Sequence, residues 1–417
     1  MIKQVILITN CFPYTPGEEF LETETKFYKN YKNVKFIILP TFIGNKKRII
    51  DSNIKIDNSL MHNNLNLKRY IFKAVISKIF YKEIKKMRIL NLVKLAYLVN
   101  TVSKYLYYID FFNNYFHTID DMKETIVYTY WNTEITYALE SLKDNFCFTL
   151  VSRIHGVDIY EERRPYNYMP LKRQFASNID NIFTISNIAK EYLINKYNYD
   201  SSILKVSRLG VDDKGVVSSF SPKNKFHLVS CSSMIYIKRL DKIIESLRIL
   251  SSLHPKIHFT WTHIGDGVLY NSIKKQAIDK LEKLENIDFL FLGHVINKEV
   301  YNFYKNNNID VFINVSQTEG VPVSIMEAMS CRIPIIAPDI GGISEMVNHN
   351  TSGMLMNDVS MINEIVFALG RTDFYKSYSV RMESYNIFTD KFLSVKNYPH
   401  FLSEIVGEVK YGKRVKK

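Results

Sequence analysis

Short apolar, β-branched runs alternate with stretches of three-and-four apolar spacing along most of the chain, which predicts parallel sheets covered by helices. In the first half the expected strands are Gln4 to Thr9, Val34 to Leu39, Thr125 to Tyr130, Phe148 to Ile154, Ile182 to Ile185 and Ile203 to Val206. In the second half they are His227 to Cys231, Lys256 to Trp261, Ile287 to Leu292, Val311 to Val315, Ile333 to Ile336 and Met354 to Met356. Leu240, Ile243, Ile244 and Leu247 carry the spacing of an amphipathic helix between them. The stretch from Asp212 to Asn224 is polar and broken by Gly215 and Pro222, so it is expected to link two doubly wound α/β domains. The expected layout is an N-terminal domain over 1–212 with a helical insertion at 66–112, a linker at 213–224, and a C-terminal domain over 225–383. A helical segment and basic tail at 384–417 complete it.

The length of 417 residues suits two cores of about 200 residues each, and 46% hydrophobic residues supply material for both. No stretch reaches the ~20 apolar residues of a membrane span, and the first residues run into a strand pattern, so a cytoplasmic location is expected. Cys11, Cys147, Cys231 and Cys331 are far apart, which suggests reduced thiols rather than a zinc site or disulfide framework. The net charge of +13 is uneven. Between Asn66 and Ile109 ten Lys or Arg face one acid, Glu83, among Tyr70, Phe72, Phe80, Tyr81, Tyr97, Tyr105, Tyr107 and Tyr108. That mixture fits a helix resting on an anionic membrane surface; the plainer alternative is a solvated basic face on the first domain. Nucleic acid is not expected, because no binding signature accompanies the charge. The tail from Lys410 to Lys417 either assists membrane binding or is a loose end.

Ser316-Gln-Thr-Glu319-Gly320-Val321-Pro322-Val323-Ser-Ile-Met-Glu327 follows an expected strand and opens an expected helix. Backbone N–H groups at such a helix start favour an anion, and a diphosphate would fit. A carboxylate accepts two hydrogen bonds from neighbouring hydroxyls, as a hexose or ribose supplies. Read without context, Glu319 is a helix cap and Glu327 a solvated side chain.

Taken with other segments in order, this stretch resembles the retaining glycosyltransferases of family 4. The others are Met234-Ile-Tyr-Ile-Lys238-Arg239-Leu-Asp241, Trp261-Thr-His-Ile-Gly265-Asp266-Gly267, Leu292-Gly293-His294-Val295, Ser152-Arg153-Ile-His155-Gly156-Val-Asp158-Ile-Tyr160-Glu161 and Phe12-Pro13-Tyr-Thr-Pro16-Gly17-Glu18-Glu19-Phe20-Leu-Glu22. The resemblance implies a GT-B fold, two Rossmann-like domains facing a central cleft. It also implies transfer of a sugar from a nucleoside diphosphate with retention at the anomeric carbon, without metal or other cofactor.

Carried over residue by residue, the resemblance makes His155, Lys238, Arg239 and Glu319 the catalytic set. Glu327 would hold the ribose and Glu319 the transferred sugar. Backbone amides from Gly320 to Val323 would meet the diphosphate, with Gly17, Arg153, Gly265, Asp266 and Gly267 also at the nucleotide sugar. Family members carry two glycines where this chain has Gly17-Glu18, so Glu18 or Glu22 is a candidate to face the acceptor instead. Ser186 is expected to cap a helix. Asp158 is either a site residue or a brace for its loop. Preplaced cations stabilise the charge that grows on a leaving diphosphate, which is the role expected of Lys238 and Arg239. The acceptor is expected to be a lipid-linked saccharide in bacterial surface-polysaccharide assembly, with the enzyme peripheral to the inner face of the membrane. A non-catalytic GT-B subunit that binds sugar or a partner enzyme, or a nucleotide-sugar epimerase, are the alternatives.

Overall fold

The apolar runs of the first half form a seven-stranded parallel sheet: β1 Gln4–Thr9, β2 Lys35–Pro40, β3 Ile54–Ile56, β4 Thr125–Thr129, β5 Thr149–Ile154, β6 Asn181–Thr184 and β7 Leu204–Val206. Those of the second half form a six-stranded parallel sheet: β8 Lys225–Cys231, β9 His258–Ile264, β10 Ile287–Phe291, β11 Val311–Ile313, β12 Ile335–Pro338 and β13 Gly353–Met356. The computed structural model describes residues 2–62, 67–87, 91–175, 177–358 and 360–407. Asn66, Arg88 and the basic tail from Lys410 lie outside them.

Strand order is β3-β2-β1-β4-β5-β6-β7 in the first sheet and β10-β9-β8-β11-β12-β13 in the second. Each reverses direction beside its first strand, between β1 and β4 and between β8 and β11. In doubly wound sheets ligands bind outside the carboxyl ends of the strands at that switch. The sequence reading misses only β3 among these strands, a three-residue run with one exposed lysine that falls short of a periodic signal.

The chain divides into two compact units, residues 1–208 with 396–417, and 209–395. In unit 1, both faces of the sheet are covered, as continuous apolar strands require. Val5, Leu7, Ile38, Ile126, Tyr128, Val151 and Phe183 point to one side, where Phe401 and Leu402 of the last helix pack on them. Ile6, Ile8, Leu39, Val127, Leu150 and Ile182 point to the other. The insertion forms three helices, α1 Lys68–Val75, α2 Lys78–Ile84 and α3 Leu92–Phe116. Tyr105, Tyr107, Tyr108, Phe112 and Phe116 of α3 and Phe80 of α2 are core residues on this side. The aromatic content that suggested a surface helix is therefore largely spent on packing.

Unit 2 buries Phe226, Leu228, Trp261 and Val311 against Ile243, Ile244, Leu247 and Leu250 of α4 Leu240–Leu253, on the spacing read from the sequence. Helix α5 Val323–Ser330 follows β11. The final helix, α6 Ser394–Val406, starts in unit 2 and ends in unit 1, so the stretch 384–417 is shared between them.

Candidate active site

In unit 2, two loops meet at the switch in strand order. The first follows β8 and holds Lys238 in a single 3-10 turn, Tyr236–Lys238; the second follows β11 and holds Glu319. Lys238 Nζ lies 2.5 Å from Glu319 Oε1, and the Asn314 amide donates to the same oxygen at 3.2 Å. The Gln317 N–H donates to the Ile237 carbonyl at 2.8 Å, which ties the loops by backbone as well. Arg239 enters α4 in the left-handed region, with φ 52°, and its closest acid is Asp241 at 3.9 Å. Pro322 caps α5 in an extended conformation that proline and its neighbours favour, so Gly320 to Val323 lead directly into the helix start. Glu327 sits one turn inside α5. Burial pushes its carboxyl up to about 7, against the Asn297 amide that donates to it.

Gly265 and Gly267 have a packing duty. A Cβ on Gly265 would lie 2.0 Å from the Ser232 carbonyl oxygen, and one on Gly267 2.6 Å from that of Met234. Both glycines adopt positive φ, so the turn presses against the loop that carries Lys238. Beneath it runs a buried chain of hydrogen bonds. The Trp261 indole donates to Ser230 Oγ at 2.9 Å, Ser230 Oγ lies 2.8 Å from His263 Nδ1, and His263 Nε2 lies 3.1 Å from the Ser232 carbonyl. An indole N–H only donates, so the Ser230 hydroxyl donates a hydrogen bond to Nδ1 and His263 donates from Nε2. Burial lowers the His263 pKa to about 4, in keeping with that neutral form.

In unit 1, the Asp158 carboxylate accepts from the N–H of His155 at 2.6 Å and of Asn132 at 2.7 Å. It thereby joins the turn after β5 to the segment after β4, as a loop brace does. Lys172, fully buried, donates to Asn132 Oδ1 and to the Asp158 carbonyl, both at 2.7 Å. Leu171 before it is held in the left-handed region at φ 67°, a conformation that costs a non-glycine residue about 1 kcal/mol or more. Burial raises the Asp158 carboxyl and lowers the Lys172 amine, opposed by their mutual attraction. The His155 ring is enclosed by Phe20, Tyr130 and Trp131, and burial holds its pKa well below the ordinary value, so it is neutral at pH 7.

Two expected site residues take structural positions. Arg153 is fully buried, 3.1 Å from Glu24 Oε2, 2.9 Å from Ser207 Oγ and over the Phe401 ring at 4.2 Å, so it is committed to the core. Glu18 is also buried. Its carboxylate accepts from the N–H groups of Asn10, Cys11 and Phe12 and from the Trp131 indole, which fixes the N-terminal loop and leaves nothing for an acceptor. Glu22 pairs with Arg48 at 2.5 Å. Gly17, at φ 98°, is the bend that lets Glu18 turn inward. Ser186 caps its helix by accepting from the Ala189 N–H.

The structure brings Lys238, Glu319, Gly320 and the start of α5 together within unit 2, with Glu327 on the same helix. Sequence reasoning misses Gly341, Lys172, Asn132 and His263. A Cβ on Gly341 would lie 2.1 Å from the Glu319 carbonyl oxygen, and the Gly342 N–H donates to Gly320 at 2.7 Å. The signal available for it is Gly341-Gly342 just past a strand end. For Lys172 there is only a lysine in an otherwise apolar run, Met169-Pro-Leu-Lys172.

Residues 213–368, which carry both loops, match the family described as glycosyl transferases group 1. Unit 2 is a glycosyltransferase group 1 domain. Over 146 residues the chain is 29% identical to the O-antigen biosynthesis glycosyltransferase WbnH of Escherichia coli, a match that spans 35% of this chain and only 39% of that protein. Over nearly its full length the chain resembles the apo form of the lipopolysaccharide outer core galactosyltransferase WaaB, at TM-score 0.69, 16% identity and coverage of 97% and 100%. It also resembles Anabaena Alr3699/HepE in complex with UDP and glucose, at TM-score 0.64, 16% identity and coverage of 98% and 100%. At that identity these structures establish the fold, which is the GT-B fold of two Rossmann-like, parallel-sheet domains expected from the sequence.

Proposed function

We propose that this protein is a retaining glycosyltransferase that moves a sugar from a nucleoside diphosphate to a saccharide acceptor, lipid-linked, in surface-polysaccharide synthesis. The observation that carries the reading is the Lys238–Glu319 pair beside the start of α5 at the switch of a group 1 domain. In the free protein each charge satisfies the other. A diphosphate at the helix start is a stronger partner for Lys238, and its arrival frees the Glu319 carboxylate to accept from sugar hydroxyls. The pair is thus exchanged for two ligand contacts at little electrostatic cost.

As the bond to the diphosphate breaks, Lys238, Arg239 and the N–H groups from Gly320 to Val323 stabilise the oxygen that gains charge. The departing oxygen then takes the acceptor hydroxyl's proton on the same face, so no enzyme carboxylate is needed as nucleophile, unlike the retaining glycosidases. With cations and amides already at the diphosphate, activity is expected to persist in EDTA. Glu327 holds the ribose, and neutral His155 serves as a hydrogen-bonding partner for a sugar hydroxyl. Relatives named for O-antigen synthesis, and a structural neighbour captured with UDP, support a UDP-sugar donor and a polysaccharide product.

For the membrane, support comes from the outer face of α1 and α2. Ile71, Phe72, Ile76 and Tyr81 are exposed there among Lys68, Arg69, Lys73, Lys78 and Lys82, which suits an anionic interface. Among the described residues no helix is long and apolar enough to cross a membrane. Reversing Lys82, Lys85 and Lys86 to glutamate is expected to release the protein from vesicles containing anionic lipid, and unchanged sedimentation would remove the membrane from the proposal. The decisive experiment for the activity is a donor screen that follows release of UDP, GDP or ADP with a lipid-linked acceptor extract. Release of one nucleotide that depends on the extract is expected. Its absence with every donor would leave the non-catalytic reading.

A further inference from the structure

Asn297 makes a contact that its own helix does not need. The helix Asn297–Asn306 follows β10, and its capping position is taken by Ile296, extended and without a side-chain hydrogen bond to the first turn. Asparagine is among the side chains best suited to that capping duty. Here it stands one residue inside the helix, exposed, and its amide crosses 30 positions of sequence to donate to Oε1 of Glu327 on α5.

The surroundings of Glu327 give its charge little other help. Burial disfavours the carboxylate, and the Asn297 amide is what opposes burial. The ionisable groups that feel its charge are Tyr301 and Tyr304 on the same helix as Asn297, Cys231 at the end of β8 and Cys331 just after α5. Burial pushes both thiols up to about 12 and raises both phenols, so all four are neutral at pH 7 and none is a countercharge. Asp212 and Asp213 act on Tyr301 and Cys331 and add only negative charge; Lys238 acts on Cys231 but is paired with Glu319.

An ionised carboxylate offers about four acceptor sites on its two oxygens, so one amide can fix its plane and still leave room for two hydroxyls. A protonated carboxyl offers fewer and turns one oxygen into a donor. We propose that Asn297 is the positioning residue of the ribose contact: it holds the Glu327 carboxylate in the orientation and the ionised form that accept the vicinal 2′- and 3′-hydroxyls of the nucleotide, and so sets how strongly a ribose is preferred to a deoxyribose. The inference rests on the reading of Glu327 as the ribose contact. Asn297 itself touches no substrate. Without its amide burial is unopposed, and the carboxyl keeps its proton to higher pH.

Calorimetry on the full chain compares the dissociation constants of UDP and 2′,3′-dideoxy-UDP, with the GDP and ADP pairs alongside, across pH values on both sides of 7. Both members of a pair carry the same titrating phosphate, so their ratio reports the hydroxyl contact. In the wild type the preference for the ribonucleotide is expected to grow severalfold as pH rises through about 7. Asn297→Leu, which cannot donate, should move that rise upward by about one pH unit, and Asn297→Lys, which brings a cation to the same carboxylate, should move it downward by a similar amount. Below pH 7 the lysine variant should therefore prefer ribose more strongly than the wild type does, with kcat at saturating donor within about twofold in both variants. A side chain that only supports its helix would not move the profile in opposite directions. The inference is overturned if the variants leave the profile in place or shift it the same way. It falls together with the ribose assignment if no wild-type pair shows a preference at any pH. Because calorimetry needs neither acceptor nor turnover, either result stands apart from the donor screen, whose success would leave glycosyl transfer intact.

Discussion

The two units hold their candidate residues in opposite ways. In unit 2, Lys238 and Glu319 lie on loops and are held largely by each other, with 18% and 11% of their side chains exposed. In unit 1, the His155 turn is set by a buried lattice of Asp158, Asn132 and Lys172 and sits near a fully enclosed Arg153–Glu24 pair. The first arrangement is suited to charges that must change partners when a ligand arrives. The second is suited to a group that must stay where it is. Polar residues near a site thus differ in kind: some wait for substrate, and some are already satisfied.

Substitutions can break this contrast, and the largest effect is expected in unit 1. Arg153→Met leaves buried Glu24 without its countercharge and with the Tyr28 hydroxyl as a neutral partner, which should cost about 3–5 kcal/mol of unfolding free energy in urea. A loss under about 1 kcal/mol would mean that the pair is not the core element described here. Lys238→Ala and Glu319→Ala should do the reverse. Turnover is expected to fall on the order of 100-fold or more, about 3 kcal/mol of transition-state stabilisation, while stability changes by about 1 kcal/mol or less, as for a pair with access to solvent. Wild-type turnover in both would end the site assignment.

The smallest effect concerns Glu327. Its folded pKa is raised to about 7, so below that pH the carboxyl is mostly protonated and accepts ribose hydroxyls poorly. Donor KM is expected to fall roughly severalfold between pH 6 and pH 8 as the group ionises, and Glu327→Gln should flatten the profile. The sign for stability is opposite. A raised carboxyl pKa favours the fold at low pH, and that contribution is lost as pH rises through about 7. A donor KM independent of pH in the wild type would place the ribose elsewhere.

The sequence shows unit 2's site more readily than unit 1's for the same physical reason. Glu319, Gly320, Pro322 and Glu327 span nine residues across one strand-to-helix junction, so local pattern is enough to place them. The strands are legible because continuous apolar runs have few alternatives in a parallel sheet. By contrast, Arg153 meets Glu24 across 129 positions and Lys172 meets Asn132 across 40. Nothing near Arg153 says that its partner is an acid in the short helix Phe20–Thr25, and the strand-end histidine pattern makes it look like a ligand residue. Leu171 shows the same limit, because its left-handed backbone is imposed by the lattice around Lys172 and no glycine marks it. The aromatic richness of 66–112 misled in another way. Tyr105, Tyr107 and Tyr108 fill a core, and the exposed apolar face rests on fewer residues, Ile71, Phe72, Ile76 and Tyr81.

Helix α6 has a consequence for how the chain is made. The seven strands of unit 1 are complete at Val206, but Phe401 and Leu402, which cover one face of that sheet, and the Tyr398 and Phe401 rings around Arg153 emerge only after all of unit 2. During synthesis, the first unit must wait with an apolar face and a buried-to-be charge open to water, and that interval is when it is most exposed to aggregation and to chaperones. The order of emergence also means that the unit made first is the one sealed last.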